Sequence, residues 1–241
     1  MVVAGRYRGQ MRILTLTAPV FGACCYLIVA DDGDTVVVDA GGGVAPSVAR
    51  VVEEDRLRIT GVLATHGHAD HVWDAGRVAN AAGVPLTVHA RDAYRLDDPL
   101  ESLGGVRSGV HAALESMGMS ATWRPPAGRE LIGAGEDGER TADAELVFGS
   151  VRLVARHAPG HTEGSTLYLV GEDAVCTGDV LFRGTIGRTD LPGGDTAVMG
   201  RTLREVVARL PRDAAVLPGH GPSGTVSEEL ATNPFLADLA G

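Results

Sequence analysis

The sequence predicts an α/β domain in which two mixed β-sheets stack face to face with helices on the outer surfaces. Three observations point there. Short β-branched runs alternate with helix-period segments in both halves of the chain, and no internal repeat or linker divides it. The length of 241 residues, 44% of them hydrophobic, is enough for one sizeable core. Only 4% of residues are aromatic, so Val, Leu and Ala must do most of the packing.

Taken in order, Arg12–Thr17, Cys25–Ala30 and Thr35–Val38 read as strands, with Asp31-Asp32-Gly33-Asp34 as the hairpin turn. Met11 opens the first of them. Residues 11–241 are therefore expected as a single domain, and residues 1–10 as a disordered N-terminal extension. Ala45–Glu54 has the spacing of an amphipathic helix, Ile59–Ala64 that of a buried strand, Trp73–Ala82 that of a helix and Pro85–His89 that of a strand. Residues 91–144 are the least regular stretch. Gly109–Met117 has helical spacing, and Trp123–Arg140, rich in Pro, Gly and charge, reads as loop. Strands follow at Glu145–Phe148, Val151–His157, Thr166–Val170 and Ala174–Thr177, then a helix at Val198–Leu210 and a strand at Ala214–Leu217.

Charge and composition narrow the function. The 31 acidic residues outnumber the 21 basic ones, for a formal charge of −10, and no Lys/Arg cluster interrupts the excess. Such a surface repels phosphate backbones, so a small molecule is expected as the partner and a nucleic acid is not. No apolar run reaches the roughly 20 residues that cross a bilayer, and Val20–Ala30 reads as a strand, so neither membrane attachment nor a secretory signal is expected. Cys24, Cys25 and Cys176 form no paired framework, which suits a reducing cytoplasm. The sequence carries no signal for oligomeric state.

The chemistry is concentrated in a few places. His66-x-His68-x-Asp70-His71 offers four metal-ligand side chains within six residues. In an extended segment His66 and His68 point the same way, and a turn after them swings Asp70 and His71 to a second position nearby. His161, Asp179 and His220 each follow an apolar run and sit among glycines, in Ala158-Pro-Gly-His161, Thr177-Gly-Asp179 and Pro218-Gly-His220-Gly. Imidazole and carboxylate donors without thiolate suit zinc, manganese or iron in a reactive site.

This set, in this order, resembles the dinuclear signature of the metallo-β-lactamase superfamily over residues 11–236. The resemblance implies the αββα four-layer sandwich, with His66, His68 and His161 on one divalent ion, Asp70, His71 and His220 on the other, and Asp179 bridging them. It implies two metal ions, zinc first, with iron or manganese as alternatives. Thr177–Asp190, Pro192-Gly-Gly-Asp195, Gly219-His-Gly-Pro222 and Asn233-Pro-Phe-Leu236 are similar to the glyoxalase II-like (hydroxyacylglutathione hydrolase-like) branch, which hydrolyses thioesters such as S-lactoylglutathione. Glu163 stands where that branch usually has Pro, and only 21 residues follow His220, as in its compact bacterial type.

Two divalent cations outweigh Asp70, Asp179 and a hydroxide, so such a site favours an anionic thioester or ester. The expected reaction is attack of a metal-activated hydroxide on the carbonyl, with Asp70 as the catalytic group that orients the hydroxide and takes its proton. Asp39 is expected to hold a ligand imidazole from behind, and Arg188 to meet a substrate carboxylate. A mononuclear-iron persulfide dioxygenase and a lactonase are the alternatives that use the same residue types. His89, His111, His157 and the three cysteines match no ligand position.

Overall fold

The computed structural model describes residues 3–7, 11–101, 112, 114–116, 118, 120, 122–133 and 142–237. The parallel stretches read as near-continuous apolar runs because both of their faces are covered. β1 (Val3–Tyr7), β2 (Met11–Thr17), β3 (Cys24–Ala30) and β4 (Asp34–Val38) are antiparallel neighbours. β5 (Arg58–Leu63), β6 (Leu86–His89) and β7 (Arg129–Ile132) continue that sheet in parallel. The second sheet runs β8 (Ala144–Phe148), β9 (Val151–His157), β10 (Thr166–Val170) and β11 (Ala174–Gly178) antiparallel. It ends with β12 (Ala215–Pro218), parallel to β11, and the short β13 (Gly224–Thr225).

The pleat sorts side chains into layers. Tyr26, Ile28, Val36, Val38 and Leu63 face inward and pack on Leu153, Tyr168, Val170, Cys176 and Leu217 of the other sheet. Their chain neighbours Leu27, Val29, Val37 and Val62 face outward, toward α1 (Ala45–Glu54) and α3 (Ala75–Ala82) through Val48, Val51, Val78 and Ala79. Leu167, Leu169, Val175 and Val216 do the same for α4 (Thr196–Glu205) and α5 (Val226–Thr232), meeting Met199, Leu203, Val226 and Leu230. The result is the expected order of helix, sheet, sheet, helix. Among the described residues, no helix is long and apolar enough to cross a membrane.

Several elements differ from expectation. Residues 1–10, read as an extension, include β1, whose backbone pairs with β2 over five residue pairs. An edge strand of this kind needs backbone partners more than an apolar face. The stretch read as loop at Trp123–Arg140 contains β7, whose first three residues are exposed at the sheet edge and therefore lack strand alternation. The helix expected over Trp73–Ala82 starts two residues later, as α3, and a separate single turn, α2 (Ala69–Val72), precedes it. They part at Asp74, whose carboxylate accepts the Ala45 amide of α1 at 3.0 Å. In the expected Gly109–Met117 helix, the described residues Ala112 and 114–116 are helical, and the remainder lies outside the described residues.

Candidate metal centre

β4 and β5 in one sheet, and β11 and β12 in the other, run parallel, so their C-terminal ends open at the same edge of the sandwich. Loops at such ends are where α/β sheets bind ligands. Hydrogen bonds pin the two sheets together there. Tyr168 Oη donates to Ala64 O at 2.9 Å, Thr166 N to Thr65 O at 2.8 Å, and Tyr26 Oη to Pro218 O at 2.7 Å.

All seven predicted donors converge at this edge. After β5 the chain bends at Thr65 and His66, His68 is extended, and α2 then turns Asp70 and His71 to the far side. His68 Nδ1 lies 3.1 Å from His66 Nε2 and 2.9 Å from His161 Nε2. On the other side, His220 Nε2 lies 3.1 Å from Asp70 Oδ2 and 3.3 Å from His71 Nε2. Asp179 stands between the two triads, with Oδ1 3.3 Å from His71 Nε2 and Oδ2 3.6 Å from His161 Nε2 and 3.9 Å from His220 Nε2. His66, His68, His71 and His161 are buried, whereas side-chain exposures of 31% for His220 and 22% for Asp70 make these two the open mouth.

The tautomers follow from the hydrogen bonds behind the rings. Asp39 accepts Thr65 N and Thr65 Oγ1, each at 2.7 Å, and His71 Nδ1 at 3.0 Å. Thr65 Oγ1 has thereby given its proton to Asp39, so it accepts from His66 Nδ1 at 3.1 Å. His161 Nδ1 donates to Arg188 O at 2.7 Å. The Nε2 atoms of His66 and His161 are therefore left as lone pairs facing the cluster, and His71, anchored through Nδ1, turns its Nε2 to the cluster as well. Asp39 thus stands behind His71. Thr65, which the sequence did not single out, extends its reach to His66.

Charge is unevenly spread. Burial, reinforced by neighbouring imidazoles, holds His66 well below the usual histidine range and brings His68 down to about 3. Burial is the largest single influence on Asp70 and Asp179 and works to raise them, but the surrounding imidazoles together (His71 with His220 and His68 for Asp70, His71 with His161 for Asp179) keep both carboxyls below their ordinary value. Burial also works to lower His71, and Asp70, Asp179 and Asp39 overcome it, holding that imidazole well above the usual range.

This donor set fits divalent cations. His68 Nδ1 lies about 3 Å from the Nε2 atoms of His66 and His161, both lone pairs by the network above, so the three share at most one proton; a tetrahedral ion at 2.0–2.1 Å would space its ligand atoms by roughly 3.3 Å. Asp179 Oδ1 is buried with no hydrogen-bond partner among the described residues, a costly state for a carboxylate oxygen. A cluster of three donors, each offering one ligand atom within 4.8 Å of the others, occurs three times over: His66/His68/His161, His66/His71/Asp179 and Asp70/His71/His220. Gly219 makes room for it, since a Cβ there would overlap Asp179 Oδ1 and lie 2.7 Å from His71 Cε1.

Arg188 departs from expectation. Its guanidinium is exposed and held in a bidentate pair with Asp190 at 2.7 and 2.8 Å, because the two side chains lie two residues apart on an open loop. The part of Arg188 that touches the cluster is its carbonyl.

The family model of the metallo-β-lactamase superfamily matches residues 18–220, which span every one of the seven donors. The chain belongs to this superfamily. Among curated relatives, hydroxyacylglutathione hydrolase GloC of Haemophilus influenzae is 30% identical over 94% of this chain and 98% of its own length. Among solved structures, the B3 metallo-β-lactamase BLEG-1 superposes with a TM-score of 0.76 at 28% identity, covering 93% of this chain and 99% of that one. A di-iron-bound form of TTHA1623 superposes at 0.69 with 29% identity, covering 92% and 99%. This is a metallo-hydrolase superfamily whose members bind divalent metals, often two.

Proposed function

We propose that this metallo-β-lactamase superfamily member is a hydrolase of thioesters of a small thiol, of the S-lactoylglutathione kind, working with two divalent ions. The observation that carries the reading is the placement of Asp179 between two triads of donors, within reach of both. In this reading His66, His68 and His161 would hold one ion and Asp70, His71 and His220 the other, with Asp179 within reach of both. Bound divalent ions supply Lewis acidity at a carbonyl and lower the pKa of water to roughly 7.

The chain's own residues do the rest. Asp39 and Thr65 keep the His71 and His66 protons on the far side of the rings, and Arg188 O does the same for His161. Asp70, ionised and partly open at the mouth, orients the attacking water and accepts its proton. A thiolate leaves without a strong general acid, and the cluster offers none, which favours a thioester over an amide. The similarity to GloC supports the same class of substrate. The ions' charge exceeds that of Asp70 and Asp179, so an anionic substrate is drawn to the mouth.

The test is metal content by mass spectrometry on protein produced with zinc and iron both available, followed by a thioester panel on the same sample. Two equivalents of metal per chain are expected, with hydrolysis lost on chelation and restored by zinc. One equivalent of iron together with oxygen uptake on a persulfide would overturn the hydrolase reading in favour of a dioxygenase.

A further inference from the structure

Among the buried carboxylates that the mechanism leaves unused, Asp92 is the one that touches the loops of the first triad. Asp92 lies in the 3-10 turn Ala90–Leu96 that follows β6, in the stretch the sequence left least legible, and it is fully buried. It accepts Gly67 N at 2.8 Å, Thr162 Oγ1 at 2.8 Å, Gly164 N at 2.9 Å and Arg95 Nε at 3.3 Å. Gly67 sits between His66 and His68, on the loop from the first sheet. Thr162 follows His161, on the loop from the second. A single carboxylate therefore grips both loops that supply the first triad.

The grip has no slack. A Cβ at position 67 would lie 2.7 Å from Arg95 Cβ, and one at 164 would lie 2.7 Å from Asp92 Cγ, so both loops run flush against this turn. Arg95 backs Asp92 from within. It is itself buried, and its Nη2 is held by Glu163 Oε2 at 2.5 Å and Pro192 O at 2.9 Å. Glu163 is the residue that departs from the branch's usual proline, and here it closes a chain from Asp92 through Arg95 back to the His161 loop. Burial pushes the Asp92 carboxyl up, and Arg95 with the three hydrogen-bond donors works against that rise.

The geometry points to Asp92 as a positioning residue that sets the separation of His161 from the His66/His68 pair, and with it the affinity and coordination geometry of the first metal position. This rests on the metal-binding reading above. A carboxylate that merely stabilised the fold would change melting temperature and leave the ligand field of a bound ion as it was.

The test uses the full chain as Asp92→Asn and as Thr162→Val. The first keeps volume but turns an amide NH2 toward a backbone N–H; the second removes one bond of the grip at constant shape. Zinc affinity is read by chelator competition, ligand field by the visible absorption of the cobalt(II)-substituted protein, and stability by melting of the metal-free form. Asp92→Asn is expected to weaken one of two zinc equivalents by about 10- to 100-fold, with altered cobalt bands, and to leave the other near the parent value. Thr162→Val should give a smaller loss at the same equivalent, and it decides the matter if the Asn variant does not fold. Both equivalents within threefold of the parent and unchanged cobalt bands would overturn the inference while leaving the metal centre standing. A parent that binds no metal would instead overturn the metal-binding reading, and this inference with it.

Discussion

Asp39→Asn is the sharpest perturbation the site offers, because it alters hydrogen polarity and little else. Asp39 has φ 58°, a left-handed conformation that Asn also adopts readily, so the backbone is not strained by the change. The amide oxygen can keep the bond to Thr65 N. The amide NH2 then faces Thr65 Oγ1 and His71 Nδ1, both of which now donate to the carboxylate. To avoid donor against donor, His71 must move its proton to Nε2. Thr65 must turn its hydroxyl toward His66 Nδ1, which sends the His66 proton to Nε2 as well. One substitution thereby places a hydrogen on a donor atom in each triad. Loss of such backing partners costs 10- to 100-fold in metal affinity, about 1.4–2.8 kcal/mol at each position. Chelator competition with zinc would measure it, with Thr65→Val as the partial control that disturbs His66 alone. Asp39→Asn binding both equivalents within threefold of the parent would refute the tautomer assignment.

Two other outcomes follow from the same geometry. Gly219→Ala should abolish tight binding of at least one zinc equivalent while the protein remains folded by circular dichroism, because the new methyl displaces the Asp179 carboxylate; undiminished metal stoichiometry would contradict this. His89, buried, stacked on His157 at 4.1 Å and accepting Arg91 N, is brought down to about 3, first by burial and then by the His157 imidazole and Arg91. Its folded value lies below its unfolded value near 6.5, so the stability it carries is present above about pH 6.5 and is lost as pH falls toward 3. In urea unfolding, the parent should lose about 1–2 kcal/mol more than His89→Phe between pH 7 and pH 5, and equal losses would contradict the assignment.

What was legible in the sequence followed from local periodicity. The runs at β3, β4 and β9 alternate or stay apolar as their two faces require, and α1 has the bounds its spacing predicts. The candidate donors were legible because four of them crowd into six residues after β5 and the other three follow the ends of β9, β11 and β12, positions a linear reading can locate. Edge elements were not: β7 exposes Arg129, Glu130 and Leu131, and β13 is only two residues long. The helix α5 did carry a signal, the capping box of Thr225 and Glu228, that the apolar spacing overshadowed. Asp92 had none. Its partners lie at residues 67, 162 and 164, so its meaning exists only once the two sheets are stacked.

The donors are divided between the layers: four side chains follow β5 of the first sheet, and three sit on loops of the sheet that holds β9, β11 and β12. Any ion gripped by both groups would be a rivet through a seam, adding to the hydrogen bonds of Tyr168, Thr166 and Tyr26 that already join the two walls there. Occupancy would thus add to wall-to-wall cohesion. An ion at a thousand times its dissociation constant adds about 4 kcal/mol to folding, so the heat tolerance of this chain reports which metal its surroundings supply.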